Sequence, residues 1–173
     1  KIETSGSTVD TTGIKVNAGS KKGKGGLWLV DPYDYIIGAS QASSISTVLN
    51  NGTNVTILTS GDNTSYGSQG DANGNGDITV NSSIATSGTA TLTLTAARDL
   101  TISSGANITD TGTMSLALNS GRNMVINGGI NIAGTVALTT TSSNSGSTSN
   151  TFSYTGSAQT WTAPSGVSSI TFD

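Results

Sequence analysis

An internal repeat of 22 to 24 residues in the second half of the chain constrains the fold more than any other feature. Three segments share one pattern, and they begin at Asp77, Asp99 and Asn123. Each starts with an acidic or amide residue, followed by two apolar residues with one residue between them and then by a Gly-containing turn. A lone Ile and a Gly-Thr pair come next, before a second run of alternating apolar residues. Their starts are separated by 99 − 77 = 22 and by 123 − 99 = 24 residues. A repeat of this length is typical of a solenoid, in which each copy forms one coil and stacks on the next.

Apolar residues alternate within each copy, as in Leu92 and Leu94 or Leu116 and Leu118. Period-two alternation in such short runs predicts strands with one buried face. A helical interpretation fails, since no window carries apolar residues at i, i+3, i+4 and i+7. Coils stacked about 4.8 Å apart would pair each strand in parallel with its equivalent in the next coil. The sequence therefore predicts an all-β parallel β-helix with coils of about 22–24 residues.

The repeat extends upstream in a weaker form. The segment from Asn54 to Ile57 matches the frame 77 − 54 = 23 residues before Asp77, which predicts the equivalent strand one coil earlier. Three apolar residues supply a strand before it: Ile45, Val48 and Leu49. Two more suggest another coil near the start: Ile14 and Val16. The residues from Ser60 to Gly76 stand where the rest of a coil is expected, so we predict an extruded loop there.

After Leu138 the pattern changes. Residues 139–150 are all Ser, Thr, Asn or Gly, a composition typical of linkers and loops. Alternation restarts after that, with more aromatic residues, around Pro164 and Gly166. The sequence therefore predicts a β-helix shaft over 1–138, a linker or loop over 139–150 and the start of a second β module over 151–173.

The composition narrows the classes of function. Only 33% of residues are hydrophobic and 10% are charged, but the period-two runs of β-branched residues separate this polar chain from a disordered one. The sequence contains neither Cys nor His, which excludes disulfides, thiolate metal sites and mechanisms that need an imidazole. A net charge of −3 disfavours nucleic-acid binding, and no apolar stretch is long enough to span a membrane. Because the chain begins at Lys1 without a methionine, we expect a piece of a longer protein.

One run of residues carries a resemblance to a known family. The segment Gly25-Gly26-Leu27-Trp28-Leu29-Val30-Asp31-Pro32-Tyr33-Asp34-Tyr35 resembles the GG-x-WL-(L/V)-DPY motif of filamentous-haemagglutinin-like exoproteins of two-partner secretion systems. The similarity runs from about Ile14 to about Thr139, and the segment from Thr160 to Val167 resembles the opening of glycine-rich bacterial surface modules. The resemblance implies a right-handed parallel β-helix, export through an outer-membrane transporter, and adhesion or competition at the bacterial cell surface.

These expectations define a leading function and two alternatives. The leading function is a secreted, non-enzymatic adhesive shaft that offers its side to glycans, to other surface proteins or to copies of itself. The second is an extracellular matrix subunit that assembles into filaments end to end through unpaired strand edges. The third is a polysaccharide-active β-helix enzyme, which would use carboxylates and arginines such as Asp99, Asp110, Arg98 and Arg122. Turn positions at the ends of coils explain these four residues equally well.

A Gly-rich acidic segment resembles the first part of a calcium-binding loop. Asp71, Asn73, Asn75 and Asp77 place oxygen ligands at alternate positions around Gly76. Position 12 of such a loop is Ser82, so the bidentate acid that closes an EF-hand site is missing. A sharp turn without a metal uses the same residue types. Calcium is the one cofactor that the sequence suggests.

Several residues are candidates for contact with glycans. A basic run of Lys21, Lys22 and Lys24 could attract anionic glycans or lipid phosphates, although such runs often lie in water without a partner. Three aromatic residues could form a platform on which sugars stack, or could pack in the core: Trp28, Tyr33 and Tyr35. Threonines at 91, 93 and 95 and at 139–141 are expected on outward strand faces, where flat Thr arrays can bind ice or carbohydrate or can simply be solvated.

Five N-x-S/T sequons are candidate glycosylation sites: Asn51, Asn54, Asn63, Asn81 and Asn107. In a chain so rich in Ser and Thr, such triplets also arise by chance.

Overall fold

The computed structural model describes residues 1–20, 23–60 and 74–141, together with the backbone of 160–162. In these residues the chain is built from short strands, and one helix interrupts them. In chain order the elements are β1 (Ile2–Ser5), β2 (Leu27–Asp31), β3 (Tyr35–Ile37), α1 (Ala39–Asn50), β4 (Asn54–Leu58), β5 (Ile78–Val80), β6 (Ile84–Thr86), β7 (Thr91–Ala96), β8 (Leu100–Ile102), β9 (Ile108–Asp110), β10 (Ser115–Ser120), β11 (Met124–Ile126), β12 (Ile130–Ile132), β13 (Val136–Thr140) and β14 (Thr160–Thr162).

The strands form three sheets, which the chain visits in turn. Sheet A has the order β1-β2-β4-β7-β10-β13-β14, sheet B the order β3-β5-β8-β11, and sheet C the order β6-β9-β12. All pairings among these strands are parallel. The chain is therefore a β-solenoid of about five turns, as the repeat predicts.

The core consists of inward columns in which like residues stack from coil to coil. One column of sheet A holds Trp28, Val55, Leu92, Leu116 and Val136, each 0 or 1% exposed. Burial of one such side chain stabilises the fold by about 1.5–3 kcal/mol. Since alternate positions along each strand face outward, the period-two pattern of the sequence shows which side chains point into the core and which point to solvent.

The registers confirm the predicted repeat. Ile78 pairs with Leu100 and Leu100 with Met124, at spacings of 22 and 24 residues. The lone Ile of each copy also stacks in a column, because Ile84 pairs with Ile108 and Ile108 with Ile130.

The structure corrects the expected strand at Ile45, Val48 and Leu49, which are buried residues of α1. Their spacing of i, i+3 and i+4 is helical, but no apolar residue follows at i+7, so the run does not match the full pattern of an amphipathic helix. The helix takes the position of a sheet C strand, because Ser46 Oγ accepts a hydrogen bond from the N–H of Ala85 in β6 at 3.2 Å. A side-chain oxygen of the helix thus accepts the N–H group of β6 that a neighbouring strand would otherwise bind.

The structure also corrects the predicted register of the segment from Asn54 to Ile57. This segment forms β4 of sheet A, where Val55 pairs with Leu92, whereas Ile78 of β5 belongs to sheet B and pairs with Tyr35. Strands of both sheets alternate with the same period, so the frame cannot distinguish one side of the coil from another. The insertion consequently lies between sheet A and sheet B of one coil; its residues 61–73 lie outside the described part.

Residues 6–20 cross the amino-terminal end of the solenoid. Val16 is buried in the core, and Val9 and Ile14 pack against it. The hydroxyls of Thr11 and Tyr35 share a buried hydrogen bond. This segment covers the edge of sheet B, while α1 covers the edge of sheet C.

At the other end, β13 runs through Thr140, two residues beyond the expected shaft boundary, and pairs with β14. Most of the expected linker and of the second module lies outside the described residues, so that division stays a prediction.

Candidate functional site

The widest continuous surface of the described solenoid is the outer face of sheet A, formed by the outward side chains of β2, β4, β7, β10 and β13. Its central column consists of Leu29, Thr56, Thr93, Ala117 and Ala137. A second column beside it holds Leu58, Thr95, Asn119 and Thr139. These side chains are short, and the strands pair in continuous register, so the face is flat.

This face carries no charge over the described strands from β4 to β13. Its polar groups are hydroxyls and amides, some of which bond along the column, as Asn119 Nδ2 does to Thr95 Oγ1 at 3.1 Å. The outward position expected for Thr91, Thr93 and Thr95 is observed. Of the second predicted group, Thr139 is outward and half-buried, Thr140 is buried, and Thr141 is exposed.

Four of the five charged residues in 74–141 lie instead at the corner between sheets A and B, where they form a ladder. Arg98 donates to Asp77 of the preceding coil, with Nε 2.8 Å from Oδ1. Arg122 donates in the same way to Asp99, again with Nε at 2.8 Å. We call these four residues the Asp–Arg ladder. Each arginine bridges to the carboxylate one coil earlier, so the ladder ties adjacent coils along the axis.

The ladder carboxylates also accept backbone N–H groups, which ties the main chain of one coil to the next. Asp99 Oδ1 accepts from the N–H of Asn123 at 3.1 Å, and Asp77 Oδ1 accepts from the N–H of Asp99 at the same distance. The Arg122 guanidinium beside Asp99 holds the pKa of that carboxyl below its ordinary value, although partial burial opposes the effect. Hydrogen bonds to Asp77 and Asp99 raise the pKa values of Arg98 and Arg122, respectively.

Asp34 forms a cradle one coil before the ladder. Its Oδ1 accepts the N–H groups of Asn75, Gly76 and Asp77 at 2.8, 2.7 and 2.7 Å. Gly74 and Gly76 have φ values of 91° and 89°, which lie in the region that favours glycine. The second half of the acidic Gly-rich segment is thus explained as a turn whose backbone N–H groups bind Asp34. Sequence analysis missed Asp34, because it lies more than 40 residues from its partners.

For the predicted calcium loop, Asp71 and Asn73 lie outside the described residues. Asp77 is bound by Arg98, and the N–H of Asn75 is bound by Asp34. Among the described residues, no group of three or more Asp or Glu side chains is placed to hold a metal ion. Calcium binding by this segment stays a prediction.

The three candidate aromatic residues are buried: Trp28 is 0%, Tyr33 6% and Tyr35 3% exposed. They form no exposed platform for a sugar ring, and the core position that the sequence offered as the alternative is the one observed. Trp28 Nε1 donates to Thr4 Oγ1 at 3.2 Å. Of the basic run, Lys24 is exposed, while Lys21 and Lys22 lie outside the described residues.

Of the candidate glycosylation sites, three are exposed: Asn51, Asn81 and Asn107. Asn54 is less accessible, because its Oδ1 accepts the N–H of Thr91 and its Nδ2 donates to the carbonyl of Gly25. Asn63 lies outside the described residues, and modification at all five stays a prediction.

The groups considered for polysaccharide cleavage lie at different corners of the coil. Asp99 begins the turn into sheet B, whereas Asp110 ends a strand of sheet C and is buried. Asp110 accepts hydrogen bonds from the Thr86 hydroxyl at 2.7 Å and from the N–H of Met114 at 2.9 Å. Asp110 is therefore explained as an internal brace between coils.

Comparisons of the chain with protein-family models, with curated proteins and with solved structures give no significant match. No helix in the described residues is long and apolar enough to cross a membrane.

Proposed function

We propose that the chain is a stretch of the shaft of a secreted bacterial surface protein of the filamentous-haemagglutinin-like kind, and that its outer face of sheet A is the surface through which the shaft adheres. The observation that carries the proposal is this flat face, which is uncharged from β4 to β13, on a solenoid of about five turns. Coils that stack in continuous columns make a rigid spacer, since each coil contacts only its neighbours along one axis.

Four residues of the segment that resembles the exoprotein motif support a shaft role, because they take part in coil stacking. A Cβ at Gly25 would lie 1.9 Å from the carbonyl oxygen of Gly52, and one at Gly26 would lie 2.7 Å from Ala18 Cβ. Trp28 fills the core, and Asp34 binds the next coil. These four residues therefore build the solenoid, while Leu29 of the same motif stands on the outer face of sheet A.

Adhesion to glycans, cells or surfaces is assigned to the outer face of sheet A because hydroxyl-rich side chains there lie free of core packing. Because β2, β4, β7, β10 and β13 carry no basic side chain, this face disfavours anionic polymers, which need basic groups. Export through an outer-membrane transporter is proposed on the resemblance alone.

Binding of the full chain to a glycan array tests the proposal. We expect retention on uncharged glycans, loss of retention in Thr93→Lys, and unchanged retention in Thr101→Lys, which alters the outward face of sheet B. A chain that binds no glycan, or that loses binding only in Lys24→Glu, contradicts the assignment to this face.

End-to-end assembly into filaments has less support. At the amino-terminal end, β1 leaves an open edge in sheet A, but residues 6–20 and α1 cover the edges of sheets B and C. Lys1, which precedes β1, also forms an ion pair with Glu3 on β1, and charged side chains discourage strand addition at an edge.

A further inference from the structure

Asn–Gly pairs occur at four places in the chain, and they begin at Asn51, Asn73, Asn75 and Asn127. An asparagine followed by glycine loses its side-chain amide readily, because glycine has no Cβ to hinder attack by its backbone nitrogen on the preceding side chain. Asn73 lies outside the described residues. The structure therefore allows a comparison of the other three pairs.

The reaction begins at the backbone N–H of the glycine. This nitrogen loses its proton to hydroxide and bonds to Cγ of the asparagine side chain, whose amide group takes up a proton and leaves as ammonia. Water then opens the resulting succinimide ring at either carbonyl, which gives aspartate or isoaspartate. A hydrogen bond from the glycine N–H opposes the first step, since the nitrogen must leave its acceptor before it can attack.

Two of the three pairs have such a hydrogen bond. The N–H of Gly52, just after α1, donates to the carbonyl of Leu49 at 2.9 Å. The N–H of Gly76 donates to Asp34 Oδ1 at 2.7 Å, and a charged acceptor makes this the stronger bond. The fold therefore protects the asparagines that precede these two glycines.

The third pair, Asn127 and Gly128, lacks this protection. It lies in the turn between β11 and β12, and the Asn127 side chain is exposed there. Among the residues that the structure describes, none accepts a hydrogen bond from the N–H of Gly128. The attacking nitrogen and the side chain that it attacks are therefore both available for the reaction.

The same turn has no room for a longer backbone. A Cβ at Gly128 would overlap the carbonyl oxygen of Ala106, so the main chains of two coils are in contact at this point. The N–H of Asn127 also donates to the carbonyl of Ile102 at 2.8 Å. Isoaspartate carries the main chain through the former side chain and inserts one methylene group between these two contacts. The turn cannot keep both contacts after that change.

We propose that Asn127 is a site of spontaneous modification, at which the folded chain converts asparagine to aspartate and isoaspartate faster than at Asn51 or Asn75. Isoaspartate at this position separates the turn from the preceding coil and loosens the solenoid at β12. The modification is independent of the glycan contact proposed for the outer face of sheet A, because this turn joins sheets B and C.

Peptide mass mapping of the full chain, incubated warm at mildly alkaline pH, measures the conversion of each asparagine. We expect Asn127 to convert about fivefold faster than Asn51 and at least about tenfold faster than Asn75, the factors by which a neutral and a charge-assisted hydrogen bond slow the reaction. Acidic pH should slow the conversion of Asn127, since the glycine nitrogen must first lose its proton.

Asn127→Gln is the matched variant. It keeps an amide at the exposed position, but its ring closure would need a less favourable six-membered ring, so it should stay unmodified at residue 127. The melting temperature of the wild-type chain should fall as isoaspartate accumulates, whereas that of Asn127→Gln should stay constant through the same incubation.

Two controls connect the difference in rate to the fold. In urea the three pairs should convert at similar rates, because unfolding removes the acceptors of the Gly52 and Gly76 N–H groups. Hydrogen exchange on the folded chain should be faster at the Gly128 amide than at either of these two amides, since exchange reports directly on a free N–H.

Conversion of Asn51 or Asn75 in the folded chain as fast as that of Asn127, or no conversion at Asn127, overturns the proposed site. The same preference for Asn127 in urea also overturns it, because the cause would then lie in the neighbouring sequence and not in the fold. Accumulation of isoaspartate at residue 127 without a fall in melting temperature overturns the loosening of the coil.

Discussion

The Asp–Arg ladder gives the most specific prediction about stability, at Asp99. Its carboxylate accepts from Arg122 Nε at 2.8 Å and from both the backbone N–H and the side-chain Nδ2 of Asn123 at 3.1 Å. The side chain is 23% exposed, so the corner is shielded but not dry. Replacing it with Ala leaves the Asn123 N–H without its acceptor, whereas Asn keeps the Oδ1 acceptor and removes the charge together with the Oδ2 acceptor of Arg122 Nη2.

The expected costs differ for these two variants. A hydrogen bond to a charged group contributes about 1.5–3 kcal/mol, and partial exposure favours the lower end. An ion pair of this kind adds at most about 1 kcal/mol. We therefore expect Asp99→Ala to lower the free energy of unfolding by about 2 kcal/mol, and Asp99→Asn to lower it by about 1 kcal/mol or less.

The two variants should also differ in their pH dependence. Because the pKa of Asp99 is lower in the folded state than its ordinary value of 3.8, its charge contributes stability above that value, and the contribution is lost as the pH falls through the folded pKa. The difference between wild type and Asp99→Asn should therefore shrink as the pH falls through the folded pKa of Asp99, whereas part of the Asp99→Ala cost should remain.

Urea denaturation followed by circular dichroism, near neutral pH and again in acid, measures both effects. Hydrogen exchange at the Asn123 amide supplies a local measurement, since loss of its acceptor should speed exchange there before the whole rod unfolds. Equal costs for the two variants at neutral pH, or a cost of Asp99→Asn that does not change with pH, would refute the reasoning.

Three further substitutions, with Gly6→Ala as a control, test the packing. Gly128→Ala should destabilise the fold by about 3 kcal/mol or more, because the new Cβ would lie 1.7 Å from the carbonyl oxygen of Ala106, while Gly6→Ala, with nothing nearer than 3.5 Å, should be nearly neutral in thermal melts. Ser120→Ala should stabilise the chain by about 1 kcal/mol in urea titrations, since its buried hydroxyl has no hydrogen-bond partner among the described residues. Leu94→Ala, at a fully buried position, should cost about 3 kcal/mol by the same assay.

The solenoid could be predicted from the sequence because stacked coils place equivalent apolar residues at a regular spacing along the chain. Leu92, Leu116 and the residues paired with them recur at the same place in each copy, and the observed registers follow that frame. The helix α1 was missed because the apolar residues of its buried side make too short a run, and tertiary packing over β6 completes what the local pattern leaves weak.

The Asp–Arg ladder could be predicted only in part from the sequence. The positions of Arg98 and Arg122 at coil ends are visible in the repeat, but their partners are not, because Arg98 has one acid a coil earlier, at Asp77, and another beside it, at Asp99. The structure selects Asp77 and Asp99, in the preceding coil each time. Asp34 could not be predicted at all, since an insertion separates it from the coil that it binds.

The charged residues and the outer face of sheet A have different roles in this molecule. The charged residues stabilise the stacked coils, whereas the outer face of sheet A is assigned to glycan contact. Four of the charged side chains in residues 74–141 form the Asp–Arg ladder, and the fifth, Asp110, is buried and bonded to Thr86. Thr93 has no such task in coil stacking. Asp99 variants should therefore change the unfolding free energy but leave glycan retention intact, while Thr93→Lys should abolish glycan retention and leave the unfolding free energy unchanged. If Thr93→Lys instead destabilised the chain as much as Asp99→Ala, the outer face would be part of the fold itself, and its assignment as a contact surface would lose its basis.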